Sequence, residues 1–328
     1  MFIGIYGFGS IGRLLARVAL ERGHEIIGVV DIDPNIVGRD VGEILGLGEK
    51  LGIEVSTDPY TLTGSEVILH ATGSYLDKVY DQIIASIDSG ADVVSTCETL
   101  AYPYYRYPIL ARKINERAID RNVSVIGTGI NPGFLLDTLA IVLAAPFNIV
   151  NSIRAIRSID AAKRRESFRK KIGIGEDIER VREMLRRGEI TGHVGYAESV
   201  MLIADKAGIN LTKVIEGQEP IKAEADVESS GIRVGRGLCK GIKGFGAGYI
   251  GDREIIRVEF YAYVGAEEFE EISISGRDYS IRWRSSGTPG DMGTAAIVLS
   301  IAENIVNYGP GLLTMADIIP FRPYIKVS

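Results

Sequence analysis

The sequence predicts an α/β protein in which an N-terminal doubly wound parallel sheet precedes a second α+β domain with a mixed or antiparallel sheet. The length supports two domains, because 328 residues exceed the size at which one hydrophobic core usually stops growing. Short apolar strands alternate with helical segments up to about residue 133, as in a parallel sheet covered on both faces. Longer strands joined by glycine-rich turns follow between about residues 221 and 283.

The alternating pattern of the first domain predicts six strands and the helices between them. The first strand leads into a glycine loop and a helix at 11–22, and a later helix is predicted at 109–121. The six strands are predicted at 2–6, 25–30, around residue 55, 67–70, 92–95 and 124–126.

The chain changes character after Asn131, Pro132 and Gly133, where the helix–strand alternation ends. Near the C-terminus, apolar residues recur at helical spacing, with Ile297, Ile301 and Ile305 on one face and Val298, Ala302 and Val306 beside them. We expect this buried helix to return to the first domain, which predicts domains of 1–133, 134–288 and a returning segment of 289–328. The other predicted elements are helices at 134–145, 177–187, 194–207 and 292–306, strands at 152–158, 255–264, 271–274 and 279–284, and hairpin turns, including a mobile flap, at 231–251.

Composition and charge exclude several classes of function. A net charge of -6 offers no basic field for nucleic acid, and no apolar run is long enough to span a membrane. The two cysteines lie far apart, and His24, His70 and His193 have no metal-ligand spacing, so no metal site is expected. With no signal-peptide pattern at the N-terminus, we expect a cytoplasmic protein.

The strongest motif is the glycine loop after the first strand. Gly7, Gly9 and Gly12 form G-x-G-x-x-G between a strand and a helix, which is the context typical of a Rossmann dinucleotide-binding domain. Asp31 ends the second strand, where a carboxylate accepts hydrogen bonds from ribose hydroxyls and repels a 2′-phosphate. The sequence therefore predicts NAD as the preferred cofactor, while Arg39 nearby leaves room for NADP. The full set of predicted cofactor-binding residues is Gly7, Phe8, Gly9, Ser10, Ile11, Gly12, Asp31, Thr72, Gly73, Asn131 and Pro132.

Five segments of the chain carry a resemblance to a known family: GFGSIG at 7–12, VDIDP at 30–34, STCETL at 95–100, GTGINPGF at 127–134 and DAAKRR at 160–165. Together they resemble the 2,4-diaminopentanoate dehydrogenase family, which is itself similar to dihydrodipicolinate reductase. The resemblance implies oxidative deamination of a small diamino acid to a ketone and ammonia, and a homodimer or higher homo-oligomer built on the sheet of the second domain. Residues 154–160 contain no histidine, in contrast to the paired histidines of dihydrodipicolinate reductase, which argues against that reductase activity.

Hydride chemistry on a cationic amine requires a proton acceptor and nearby carboxylates. Glu98 and Asp160, each at the end of a predicted strand, are the candidates, although acids at strand ends also cap helices. Cys97 is expected to line the site rather than act as a nucleophile. A substrate carboxylate would be bound by arginine, and the alternative for these charges is a solvated basic face. The candidate arginines are Arg157, Arg164, Arg165 and Arg169.

Three functions remain open at this point. The first is the amine dehydrogenase that acts on a small molecule. The second is a nicotinamide-dependent reductase of a cyclic imine, and the third is a dinucleotide sensor without turnover. The missing histidines argue against the second, and the lack of a DNA-binding or partner-binding module argues against the third.

Overall fold

The computed structural model describes residues 1–325, which form two compact units. The first unit combines Met1–Phe134 with Pro289–Ile318, and the second combines Leu135–Thr288 with residues 319–325. The last segment therefore differs from the sequence prediction, which assigned all of 289–328 to the first domain. Residues 326–328 of that predicted segment lie outside the described residues.

Within residues 1–325 the chain forms fifteen strands and eleven α-helices. The strands are β1 (Phe2–Tyr6), β2 (Glu25–Val30), β3 (Val55–Ser56), β4 (Val67–His70), β5 (Asp92–Ser95), β6 (Ser124–Gly127), β7 (Val150–Asp160), β8 (Lys213–Lys222), β9 (Val227–Ser229), β10 (Ile232–Val234), β11 (Cys239–Ile250), β12 (Arg253–Tyr263), β13 (Phe269–Gly276), β14 (Ser280–Arg284) and β15 (Gly311–Leu313). The helices are α1 (Ser10–Glu21), α2 (Val41–Leu45), α3 (Leu76–Asp88), α4 (Pro103–Arg106), α5 (Pro108–Arg121), α6 (Thr138–Ala144), α7 (Glu166–Lys171), α8 (Ile178–Arg187), α9 (Tyr196–Ala207), α10 (Gly290–Ala302) and α11 (Met315–Ile318).

The first unit is built on a seven-stranded parallel sheet with the order β15-β6-β5-β4-β1-β2-β3. Its central strands are almost entirely apolar and buried, as expected for strands covered on both faces. This sheet and the mixed sheet of the second unit confirm the predicted fold class. The seventh strand, β15, was not predicted, because its three residues are too few to show a period.

The returning helix α10 packs on α1 within the first unit. His24 Nε2 lies 2.9 Å from Glu303 Oε1, just after the end of α10. The helix is shorter than predicted, because it ends at Ala302 and a 3₁₀ turn follows at Ile305–Asn307. The predicted apolar face was wrong at Val306, whose side chain is 74% exposed.

The second unit is built on a six-stranded mixed sheet with the order β14-β13-β7-β12-β11-β8. Strands β7 and β12 pair in parallel, and the other neighbours are antiparallel. Helix α9 packs on β11 and β12 and is nearly all buried. The predicted helix at 134–145 begins later, at Thr138, where Asp137 caps it by accepting a hydrogen bond from Thr138 N.

The prediction of hairpin turns at 231–251 is correct at the two ends of the segment, where turns join β9 to β10 and β11 to β12. The prediction, with its mobile flap, is wrong for the middle, because residues 239–250 form a twelve-residue internal strand. Its glycines allow α9 to approach the sheet closely. A Cβ on Gly244 would lie 2.2 Å from Tyr196 Oη, and one on Gly248 would lie 2.8 Å from Val200 Cγ1. Glycine inside this strand therefore indicates close packing rather than a turn.

Candidate functional site

The glycine loop between β1 and α1 has the geometry that a bound dinucleotide requires. Gly7 has a φ of +93°, and a Cβ on Gly12 would lie 1.9 Å from Gly7 O, so both positions need glycine. A Cβ on Gly9 would meet nothing within 4 Å, and Gly9 caps α1 without a side-chain hydrogen bond. Open space therefore faces the N–H groups of a helix N-terminus, which suits a pyrophosphate.

The residues between these glycines have unequal access to a ligand. Ser10 is exposed and Ile11 is half-buried, so both remain candidates for contact with the phosphates. The Phe8 side chain is fully buried, so only its backbone is available at the loop. Arg13 follows the loop and donates from Nε to Phe8 O at 3.0 Å. Arg13 was not predicted, although its place directly after Gly12 is a signal that was present in the sequence.

Asp31 lies next to the glycine loop at the carboxyl end of β2. One carboxylate oxygen, Oδ2, accepts a hydrogen bond from Phe8 N, and Oδ1 accepts one from Asp33 N at 2.9 Å. The position is that of an acid that binds the adenosine ribose. Hydrogen bonds from Asn35 hold the pKa of the neighbouring Asp33 below its ordinary value, so a second carboxylate stands beside the first.

The carboxyl ends of four parallel strands lie level with one another. Tyr6 pairs with His70, His70 with Ser95, and Ser95 with Gly127. The loops that follow these strands therefore meet at one edge of the sheet, where open α/β folds bind their ligands. The predicted residues that share this edge are those of the glycine loop, Thr72, Gly73, Cys97, Glu98, Asn131 and Pro132.

Thr72 and Gly73 follow β4 directly beside the glycine loop. A Cβ on Gly7 would lie 2.7 Å from Thr72 Cγ2, so the Thr72 side chain fills the space beside the first glycine. His70, the last residue of β4, is fully buried, and burial lowers its pKa to about 4. His70 is therefore neutral near pH 7, as expected for a packed histidine.

Glu98 begins a 3₁₀ turn after β5 and is half-buried at the sheet edge. Its neighbour Cys97 contradicts the prediction that it lines the site. The Cys97 side chain is 1% exposed and belongs to a hydrophobic cluster that includes Leu76 and Leu100. Burial raises the pKa of the Cys97 thiol to about 12, so the sulfur is a neutral core atom.

Asn131 and Pro132 lie in the loop that follows β6 and are joined by a cis peptide bond. Asn131 is half-buried and Pro132 is buried. Ile130 N donates to Thr294 Oγ1 of α10 at 3.3 Å, which ties the loop to the returning helix. The loop is thus held at the same sheet edge as Glu98.

Asp160 ends β7 in the second unit, and its carboxylate is occupied by structural hydrogen bonds. Oδ1 accepts from Ala162 N and Gly265 N, both at 3.0 Å, and Ser229 Oγ donates to Oδ2. The side chain is almost fully buried. This contradicts the prediction of an acid/base role, because the carboxylate instead caps a 3₁₀ turn and holds two further loops.

Arg157 contradicts the prediction that it binds a substrate carboxylate. Its side chain is 2% exposed, with Nε 3.2 Å from Glu270 Oε1 and Nη2 donating to Thr288 O at 2.8 Å. The guanidinium therefore neutralises a buried carboxylate of the same unit. From the sequence alone, an arginine inside a strand gives no sign of whether its partner is a ligand or a residue of another strand.

The other three predicted arginines remain partly accessible, around α7 of the second unit. The Arg164 guanidinium lies 5.1 Å from the Phe168 ring centroid, and Arg169 donates to Arg164 O. Arg165 Nε donates to Ser167 Oγ at 3.1 Å. These contacts order the three side chains locally and leave them as candidates for a substrate carboxylate.

Two negative findings apply to the described part of the chain. Among residues 1–325, no group of three or more His, Cys, Asp or Glu side chains is arranged to hold a metal ion. No helix within the same residues is long and apolar enough to cross a membrane.

Comparison with known families gives a match to the model of the 2,4-diaminopentanoate dehydrogenase C-terminal domain over residues 134–325. The 2,4-diaminopentanoate dehydrogenase of Acetoanaerobium sticklandii is 30% identical, over 96% of this chain and 92% of the relative. An amine dehydrogenase of Streptomyces virginiae is 26% identical, over 65% of this chain and 61% of the relative.

Comparison with solved structures gives matches to dehydrogenases of the same fold. The amine dehydrogenase from Mycobacterium smegmatis has a TM-score of 0.86 at 20% identity and covers 100% of this chain and 97% of its own. GenD2 from gentamicin A biosynthesis, in complex with NAD, has a TM-score of 0.58 at 14% identity, over 97% of this chain and 89% of its own. At these identities the matches show the fold.

Proposed function

This chain belongs to the 2,4-diaminopentanoate dehydrogenase family and is an NAD(P)-dependent amine dehydrogenase, and we propose that it deaminates a small diamino acid, 2,4-diaminopentanoate first among the candidates. The observation that carries the proposal is the shared sheet edge. Glu98 follows β5 at the edge where the glycine loop follows β1, with only β4 between these two strands, so an acid lies at the same sheet edge as the cofactor loop.

Glu98 is the proposed proton acceptor. A substrate ammonium must lose a proton before its carbon can release a hydride, and a carboxylate near the amine both attracts the cation and takes that proton. The bound nicotinamide supplies the hydride acceptor. Water then adds to the imine carbon and ammonia leaves, which gives 2-amino-4-oxopentanoate from 2,4-diaminopentanoate. Glu98 can pass its proton to the leaving nitrogen.

Cofactor choice rests on Asp31, and we propose that NAD is preferred over NADP. The Asp31 carboxylate stands at the end of β2, with Asp33 two residues later, so a 2′-phosphate would meet two negative charges. Arg13 and Arg39 are the nearby cations in the sequence that soften this discrimination and allow some use of NADP.

The arginines around α7 are the proposed partners of the substrate carboxylate. Arg164, Arg165 and Arg169 lie within six residues of one another and are partly accessible. A guanidinium binds a carboxylate through two parallel hydrogen bonds, which would also orient the substrate. Arg157 and Asp160 are left out of the proposed site because both are buried in internal contacts.

We propose that the protein is a cytoplasmic homodimer or higher homo-oligomer. One face of the six-stranded sheet is covered by α9, whereas the other bears side chains such as Arg154 and Arg257, both paired with Glu259. Phe245 and Tyr261 lie among these charges and line a surface cavity of this face. Light scattering tests the proposal, because a monomer would have the chain mass of 35.6 kDa and a dimer twice that mass.

The decisive experiment is a substrate panel. Purified protein is incubated with NAD and with diamino acids, simple amines, amino acids and hydroxy acids, while reduced nicotinamide and ammonia are measured together. We expect turnover with diamino acids and equal yields of reduced cofactor and ammonia. Turnover of hydroxy acids without ammonia would contradict amine oxidation, and NAD binding without turnover of any compound would favour the reductase or sensor functions.

A further inference from the structure

His70 lies at the centre of a buried polar chain in the first unit. The ring has no exposed surface at the end of β4. Its Nδ1 is 2.8 Å from Ser95 Oγ on β5, and its Nε2 is 3.0 Å from both Gln82 Oε1 on α3 and Thr72 Oγ1. The imidazole therefore bridges the loop after β4 and the end of β5. Gln82 belongs to no motif, and Ser95, although it opens the STCETL segment, was not among the predicted site residues.

The contacts assign one neutral tautomer to the ring. Ser95 Oγ accepts a hydrogen bond from Cys97 N at 3.1 Å, so its own hydrogen is free to be donated to His70 Nδ1. Nε2 then carries the ring hydrogen and donates toward Gln82 Oε1 and Thr72 Oγ1. The Thr72 hydroxyl donates to Gln82 Oε1. The polar hydrogens of Ser95, His70 and Thr72 then each have an acceptor.

Both ends of this chain touch the proposed active site. At one end, Thr72 fills the space beside Gly7, the first glycine of the cofactor loop. At the other end, the Cys97 amide fixes the backbone one residue before Glu98. A shift of either loop would move a group that contacts the cofactor or the amine, and small misplacements of reacting groups cost large factors in rate.

We propose that His70 is a positioning residue that holds the cofactor loop and Glu98 in register through separate hydrogen bonds at its two ring nitrogens, one accepted by Nδ1 and one donated by Nε2. Its Nε2 arm orients Thr72 against the glycine loop, and its Nδ1 arm orients Ser95 and hence the Cys97–Glu98 turn. The part of this inference that concerns catalysis rests on the proposed role of Glu98. The part that concerns cofactor binding depends only on the glycine loop.

Two substitutions separate the effects of the hydrogen bonds at Nδ1 and at Nε2. The amide of Asn has the reach of Nδ1, so His70→Asn keeps the contact with Ser95 and loses the donor to Thr72 and Gln82. The amide of Gln has the reach of Nε2, so His70→Gln keeps that donor and loses the contact with Ser95. We expect His70→Asn to weaken NADH binding about tenfold with kcat within about twofold of wild type, as for one lost hydrogen bond.

The opposite pattern, a loss of kcat without a loss of NADH affinity, is expected for His70→Gln. Its kcat should fall about tenfold and the acid limb of the kcat–pH profile should move, while NADH affinity stays within about twofold of wild type. Hydrogen exchange of the Cys97 amide should also accelerate, because its acceptor Ser95 is no longer held. NADH binding is followed by fluorescence, which requires no substrate.

His24→Asn is the matched control, because His24 belongs to the same unit and pairs with Glu303 just after α10, away from the residues that follow the parallel strands. The His24→Asn substitution should leave both the NADH affinity and kcat unchanged. Equal losses of affinity and kcat in both His70 variants, or wild-type values in both, would overturn the proposal. If the wild type binds NADH but oxidises no amine, the proposed function fails, while NADH affinity and Cys97 exchange still decide the role of His70.

Discussion

Asp31 accepts a hydrogen bond from Phe8 N, so the acid that ends β2 is bound directly to the middle of the glycine loop. The same carboxylate accepts from Asp33 N. The charge is therefore held at a fixed place beside the loop, and its effect on cofactor choice can be tested by a substitution that removes the charge and keeps the hydrogen bond from Phe8 N.

Asp31→Asn removes the charge and keeps an acceptor for Phe8 N. We expect the ratio of kcat/KM for NAD to that for NADP to fall at least about tenfold, because the repulsion of the 2′-phosphate is lost. Initial rates with both cofactors measure the ratio. Asp58→Asn, on an exposed turn, is the control, and an unchanged ratio in Asp31→Asn would refute the assignment.

Gly9 and Gly12 should respond differently to alanine. Gly12→Ala places a Cβ 1.9 Å from Gly7 O and should lower the free energy of unfolding by about 1–3 kcal/mol or more. Gly9→Ala meets nothing within 4 Å, so the protein should fold with normal stability but bind NADH more weakly. Thermal unfolding without cofactor and NADH titration distinguish the two effects. Normal NADH affinity in Gly9→Ala would place the pyrophosphate elsewhere.

Glu98→Gln tests the proposed proton acceptor. We expect kcat to fall by about 10²-fold or more with NADH affinity unchanged, because general base catalysis contributes factors of that size. Glu116→Gln, on an exposed position of α5, controls for loss of a surface carboxylate. Retention of full activity by Glu98→Gln would move the base to another residue.

The Arg157–Glu270 pair should matter for stability rather than for substrate. Arg157→Met leaves a buried carboxylate without its cation and should cost about 3–5 kcal/mol of unfolding free energy. Urea unfolding measures this loss. A stable Arg157→Met variant with only a raised KM for the diamino acid would restore the substrate-binding role that the buried contact contradicts.

The pH dependence of stability should report on His70. Burial lowers its pKa in the folded protein from 6.5 to about 4, so the unfolded chain binds more protons between these values. The stabilisation that comes from a neutral, buried His70 is present above pH 6.5 and is lost as the pH falls toward 4. The free energy of unfolding falls by about 3 kcal/mol over that range. His193, also buried with a lowered pKa, adds to the slope in wild type. His70→Gln should therefore reduce, but not abolish, the loss of unfolding free energy between pH 6.5 and 4. An unchanged pH dependence would show that another group binds the proton.

Sequence patterns predicted the first unit well because its strands are continuous apolar runs bounded by turns. The same reasoning failed for β11, where the glycines that admit α9 resemble turn residues. Strand β15 was missed because it takes its place through pairing with β6, a contact distant in sequence.

Local spacing was enough to predict that the glycine loop and Asp31 lie together, as the hydrogen bond between Phe8 N and Asp31 shows. Asp160 and Arg157 were assigned from residue type and position at a strand, and neither reveals the internal partner that satisfies the charge. For Asp160 those partners are Ser229 and Gly265, which lie far along the chain. Hydrogen-bond partners of this kind require the folded structure.

The first unit takes its last strand and α10 from beyond residue 288. During synthesis on the ribosome, α1 therefore cannot pack on α10, and β6 cannot pair with β15, until residues 290–313 have emerged. The second unit, apart from residues 319–325, is already translated by then. The order of translation thus makes completion of the first unit a late event, and a chain that stops at residue 288 would expose the surface of α1 that α10 covers.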